Sequence, residues 1–132
     1  MLLVDTSVLI DFFRENDNKK VEKFRHVLAM EIPFGINVYI YQELLQGSDT
    51  EKDYDELKKY LDTQRFYDLQ KGKNSFSDAA EIYKKCRSRG FMISSTVDCL
   101  IVQTAIENNL SLLHNDSDFD HIEKIIRKLK IY

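Results

Sequence analysis

Short apolar runs alternate with segments of helical period along the whole chain, and this alternation restricts the fold more than any other feature. Met1–Val4 reads as a buried strand, and Asp5, Thr6 and Ser7 then separate it from the apolar Val8–Phe13. Lys19–Met30 places Val21, Phe24 and Leu28 at helical spacing. Phe34–Val38 reads as a second strand after Pro33, and Tyr39–Gln46 as a helix stopped by Gly47. Lys52–Asp62 is a further helix and Phe66–Leu69 a third strand. Ser75–Arg89 carries Phe76, Ala79, Ala80 and Tyr83 on one helical face and ends in a basic turn before Gly90. Thr96–Asn108 is helical, and Leu110–His114 is a strand. A short helical turn follows near Phe119–Ile126, with a last strand at Leu129–Tyr132. Strands separated by helices imply a parallel sheet covered on both faces, with right-handed crossovers. Residues 1–132 read as one domain, long enough to bury a core without disulfides.

In an open sheet of this kind, ligands sit beyond the carboxyl ends of the strands. That rule gives meaning to the positions of the acids. Asp5 follows the first strand directly, and Asp116 follows Leu110–His114, with Asp118 just beyond. Glu43 lies in the apolar helical stretch "YIYQELLQG", and Asp98 in the first turn of "TVDCLIVQTA". Each has an ordinary explanation. Asp5 and its neighbours could simply cap a helix. Asp98 could complement a helix dipole, Glu43 could be solvated, and Asp116 and Asp118 could be turn residues. If these carboxylates converge, at least three negative charges share one pocket. Like charges at close range cannot all stay ionised without a cation, and hard oxygen ligands suit Mg²⁺ or Mn²⁺.

Four blocks in order, "LLVDTSVLID", "QELLQG", "VDCLIVQTA" and "LLHNDSDFD", resemble the PIN domain. More narrowly, they resemble the VapC-type ribonuclease toxins of prokaryotic toxin–antitoxin modules. The resemblance covers nearly the whole chain. It implies a three-layer α/β/α sandwich with a central parallel sheet, and Mg²⁺- or Mn²⁺-dependent cleavage of RNA, often transfer RNA. It implies that Asp5, Glu43, Asp98 and Asp116 form a four-acid catalytic set, with Asp118 as a fifth acid and Asp5, Asp98, Asp116 and Asp118 as metal ligands. Ser7 matches a small polar position that helps arrange the site, with Thr6 beside it. Many members carry Thr or Ser two residues before the fourth acid; here that residue is His114. The resemblance further implies a homodimer and a VapB-type antitoxin partner whose arginine reaches the acids.

Composition fits this expectation. The net charge of −3 disfavours a generic nucleic-acid coat but not a metal-dependent nuclease. No apolar run approaches the roughly 18 residues of a membrane span, and the N-terminus lacks a basic segment, so a cytoplasmic protein without membrane contact is expected. Cys86 and Cys99 read as small buried hydrophobes. The basic run Lys84, Lys85, Arg87 and Arg89 reads first as a helix stop, a role compatible with RNA backbone contact.

Other classes lack their residues. An aspartate-nucleophile phosphatase needs an acid where Ser7 stands, and a receiver domain needs a late Lys-Pro, whereas the sole proline is Pro33. A serine hydrolase would need a Gly-x-Ser-x-Gly elbow, which is absent. Within the fold, the alternatives are an RNA-processing nuclease outside a toxin pair and a non-catalytic scaffold that binds RNA or protein.

Overall fold

The computed structural model describes all 132 residues. Eleven elements follow one another: β1 (Leu2–Val4), α1 (Thr6–Phe13), α2 (Lys19–Ala29), β2 (Phe34–Gly35), α3 (Val38–Gln46), α4 (Glu51–Leu61), α5 (Lys73–Ser88), α6 (Thr96–Glu107), β3 (Ser111–Leu113), α7 (Ser117–Ile125) and β4 (Lys130–Ile131). All four strands pair in parallel, in the order β2-β1-β3-β4. Successive strand residues point to opposite faces. Leu2, Leu3 and Val4 are all buried, as are Leu112 and Leu113, so both faces of the central strands are covered. This is the three-layer α/β/α arrangement that the sequence implies. The strands and helices share one core of 28 buried residues.

Three boundaries differ from the expected ones, each for a local reason. The second strand does not reach Val38. Asn37 caps α3 instead, its Oδ1 accepting from the Ile40 N–H at 2.9 Å, and this turns the chain into a helix. The expected third strand, Phe66–Leu69, is reduced to a single bridge between Ile36 and Phe66. Beyond that bridge, side chains from the end of α6 take the backbone partners a neighbouring strand would supply. Asn108 Nδ2 donates to the Asp68 carbonyl at 3.0 Å, and Glu107 accepts from the Gln70 N–H at 2.7 Å. The bridge itself depends on Gly35, where a Cβ would lie 2.6 Å from the Arg65 carbonyl and from the Tyr67 ring. Finally, the expected turn near Phe119–Ile126 is a complete helix of 9 residues, α7, started by Asp116.

Two helical faces also differ. On α2, Val27 joins Val21 and Phe24 in the core, whereas Leu28 is exposed. On α5 the buried residues are Ser75, Ala79, Ile82 and Cys86, whereas Phe76 is 49% exposed. Both cysteines are buried and free. No helix is long and apolar enough to cross a membrane.

Candidate metal centre

The acids meet because three chain reversals happen beside one another on the parallel sheet. Asp5 ends β1 and begins α1. Its backbone N–H continues the ladder to the Leu113 carbonyl at 2.9 Å, which ties the end of β1 to the end of β3. Its side chain caps α1, accepting from the Ser7 N–H at 3.0 Å and from Ser7 Oγ at 2.6 Å. Capping of α1 by Asp5 is therefore real. Only 5% of this residue is exposed, and burial, with the Asp116 carboxylate nearby, raises the carboxyl above its ordinary range against the lowering hydrogen bonds from Ser7. Ser7 does double duty, because its Oγ also accepts the Asn115 N–H at 2.9 Å and so pins the β3–α7 turn to α1.

Beyond β3 the chain makes two consecutive side-chain-to-backbone turns. His114 Nδ1 accepts the Asp116 N–H at 3.1 Å, and Asp116 Oδ1 accepts the Asp118 N–H at 3.0 Å, capping α7. His114 is buried with its ring 5.1 Å from that of Phe119, and burial holds the imidazole below its usual range. Asp118 Oδ2 accepts from Ser94 Oγ at 2.5 Å, and Phe91 stacks on His121 at 4.7 Å. These two contacts dock the α5–α6 connection on α7.

Asp98 comes from the first turn of α6, but Ser95, not Asp98, caps that helix. No protein donor bonds its carboxylate. Burial comes first among the influences on it, followed by the charges of Asp116, Asp5, Asp118 and Glu43, and together they push the carboxyl up to about 7. Asp98 thus senses every other acid expected at the site. Glu43 is held from α3. Its Oε1 accepts from Thr6 Oγ1 at 3.2 Å, and burial and the Asp5 charge raise its carboxyl. The position of α3 against α6 is set by a buried polar tie, in which Asn37 Nδ2 donates to Thr104 Oγ1 at 3.1 Å and Thr104 Oγ1 donates to the Leu100 carbonyl at 2.8 Å.

Carboxylate oxygens of Asp98, Asp116 and Asp118 lie within 4.8 Å of one another. Asp5 is outside this triad, and its Oδ2 faces Ser7 instead. The donor set is hard and anionic, and Asp98 has neither a hydrogen-bond donor nor a cation to offset its charge. Both properties fit a divalent ion such as Mg²⁺ or Mn²⁺.

All seven residues expected at the site from the sequence therefore fall in one neighbourhood, Thr6 and Ser7 through their bonds to Glu43 and Asp5. Three supports escape sequence reading. Ser94 looks like one more cap residue beside Ser95. Asn37 looks like a strand residue. The acceptor role of His114 depends on a turn that residue type alone does not reveal.

Comparisons with known proteins agree with this fold. The family model described as PIN domain matches residues 2–125. The chain is 29% identical over 126 residues to the VapC ribonuclease Mb1587 of Mycobacterium bovis and, equally, to ribonuclease VapC11 of Mycobacterium tuberculosis, covering 95% of this chain and 93% of each relative. Among solved structures, VapBC2 from Rickettsia felis, bound to a DNA fragment from its promoter, superposes with a TM-score of 0.76 at 18% identity, covering 99% of this chain and 96% of that one. FitAcB from Neisseria gonorrhoeae superposes with a TM-score of 0.71 at 19% identity, covering 100% and 96%. With the family model spanning nearly its whole length and a parallel sheet that gathers the acids at its carboxyl edge, this chain belongs to the PIN domain family.

Proposed function

We propose that this protein is a Mg²⁺- or Mn²⁺-dependent endoribonuclease that acts as the toxin of a type II toxin–antitoxin pair. Its substrate is transfer RNA or another structured RNA. It works in the cytoplasm as a homodimer and is held in check by a VapB-type antitoxin. The observation that carries the reading is the unpaired charge of Asp98, Asp116 and Asp118, set against Asp5 and Glu43. The names of the relatives, VapC ribonucleases and toxin–antitoxin assemblies, support the cellular role.

Asp98, Asp116 and Asp118 would hold the ion, with Asp5 completing the ligand set. A bound divalent ion supplies Lewis acidity, which lowers the pKa of water and offsets phosphate charge. The remaining steps belong to side chains. Glu43, with its raised proton affinity, is placed to accept a proton from the attacking water, and Thr6 fixes the direction of its carboxylate. Ser7 keeps Asp5 and the β3–α7 turn in register. Water oxygen bonds to phosphorus as the bond to the 3′ oxygen breaks, and that oxygen takes up a proton. The products carry a 5′-phosphate and a 3′-hydroxyl.

Incubation of antitoxin-free protein and its Asp98→Asn variant with total transfer RNA, Mg²⁺ or Mn²⁺, and EDTA controls tests this reading. Cleavage by wild type alone, abolished by EDTA, is expected. Equal cleavage by both proteins, or cleavage that survives EDTA, would refute it.

A further inference from the structure

His114 stands out among the groups around the site. It is 1% exposed, its Nδ1 accepts the Asp116 N–H at 3.1 Å, and its Nε2 has no hydrogen-bond partner. Asp120 Oδ1 lies 3.4 Å from Nε2 without making a hydrogen bond to it. A ring nitrogen that accepts from a backbone N–H carries no proton, so the single proton of the neutral ring sits on Nε2, facing the Asp120 carboxylate. A leucine would fill the same volume without offering a lone pair. Filling space under Phe119 therefore does not account for a polar ring here, because burying an unpartnered Nε2 is unfavourable.

We propose that His114 is a positioning residue for the metal centre. Its Nδ1 holds the Asp116 backbone, and Asp116 Oδ1 in turn holds the Asp118 backbone. One imidazole lone pair thus presets two of the three carboxylates of the triad. Asp120 favours the Nε2–H tautomer that leaves this lone pair free. The inference rests on the metal-centre reading of the site. It assigns to an imidazole the acceptor role that a hydroxyl two residues before the acid could fill.

The test compares His114→Thr with His114→Val. These variants have nearly the same shape and leave the same space under Phe119, but only threonine restores an acceptor. Mn²⁺ affinity of the whole protein is measured by equilibrium titration, with thermal melting as the packing control. The expected result is a Thr variant within about threefold of wild type and a Val variant weaker by about tenfold or more, the range seen when outer-shell partners of metal ligands are removed. Both should fold, with the Val variant melting a few degrees below the Thr variant because it leaves the Asp116 N–H unpaired. If either does not fold, His114→Asn against His114→Leu supplies the same contrast in a larger pair. Long-range ¹⁵N–¹H correlation of the wild-type imidazole should show the proton on Nε2. Equal weakening in Thr and Val, or a proton on Nδ1, overturns the proposal. Wild type that binds no Mn²⁺ overturns it together with the metal-centre reading, whereas wild-type binding retained equally by Thr and Val overturns the His114 inference alone.

Discussion

Replacing Asp98 by asparagine should make the metal-free protein more stable at pH 8, although the substitution removes a residue of the proposed catalytic set. Asp98 sits among four other carboxylates with no cation, and its carboxyl rises from 3.8 to about 7. Taken at face value, that rise corresponds by linkage to about 4 kcal/mol against folding once the group is ionised in both states. Solvent reaches this half-buried side chain and screens it, which reduces the figure to about 1–2 kcal/mol. Against that stands the loss of a favourable charge in the first turn of α6, worth about 0.3–1 kcal/mol. The net gain is about 1 kcal/mol, or about 3–5 °C in Tm for a domain of this size. The sign with pH follows directly. Because the folded state holds this proton more tightly than the unfolded one, wild-type stability declines as pH rises from about 4 to about 7, and asparagine does not share the decline. Thermal melts in EDTA at pH 5 and pH 8 should show a clearly larger advantage of the variant at the higher pH. A variant less stable than wild type at pH 8, or a difference that does not change with pH, would refute the reasoning.

Three further outcomes follow from individual contacts. Ser7→Ala removes the bonds to Asp5 and to the Asn115 N–H, and should lower stability by about 1–3 kcal/mol in urea unfolding and reduce RNA cleavage at least tenfold. Asn37→Ala breaks both the α3 cap and the tie to Thr104, so a loss of about 2–3 kcal/mol is expected, together with weaker cleavage as Glu43 shifts; an unchanged unfolding midpoint would contradict this. Gly35→Ala drives a methyl to 2.6 Å from the Arg65 carbonyl and the Tyr67 ring, and should cost about 1–3 kcal/mol in the same assay while leaving the acids in place.

The strand–helix alternation and the order of the acids were legible in the sequence because both are local. An apolar run that ends in a carboxylate shows β1, and helical spacing of apolar residues shows that α2 and α5 are helices, although not their exact buried faces. What stayed hidden depends on partners distant in the chain. Phe66–Leu69 has strand composition, yet Asn108, at the end of α6, takes the Asp68 carbonyl and Glu107 the N–H of the following Gln70. Phe76 has the spacing of a core residue, but α5 turns Ile82 and Cys86 inward instead. At the site, the five acids were legible because each follows a strand or interrupts an apolar helical stretch, in an order that matches the family's blocks. They did not show that the Asp98, Asp116 and Asp118 oxygens form the compact group while Asp5 is engaged by Ser7. Ser94 carried no signal at all, since a serine one residue before a helix cap is ordinary, and only the docking of the α5–α6 connection brings it to Asp118.

The central claim is that the gathered carboxylates exist to hold a divalent ion. Crystals of the protein soaked in MnCl₂ and measured for anomalous scattering test this most directly. The account predicts a manganese peak bounded by Asp98, Asp116 and Asp118, lost in an Asp116→Asn crystal. Well-ordered carboxylates with no peak between them, or a peak that survives the substitution unchanged, would contradict it.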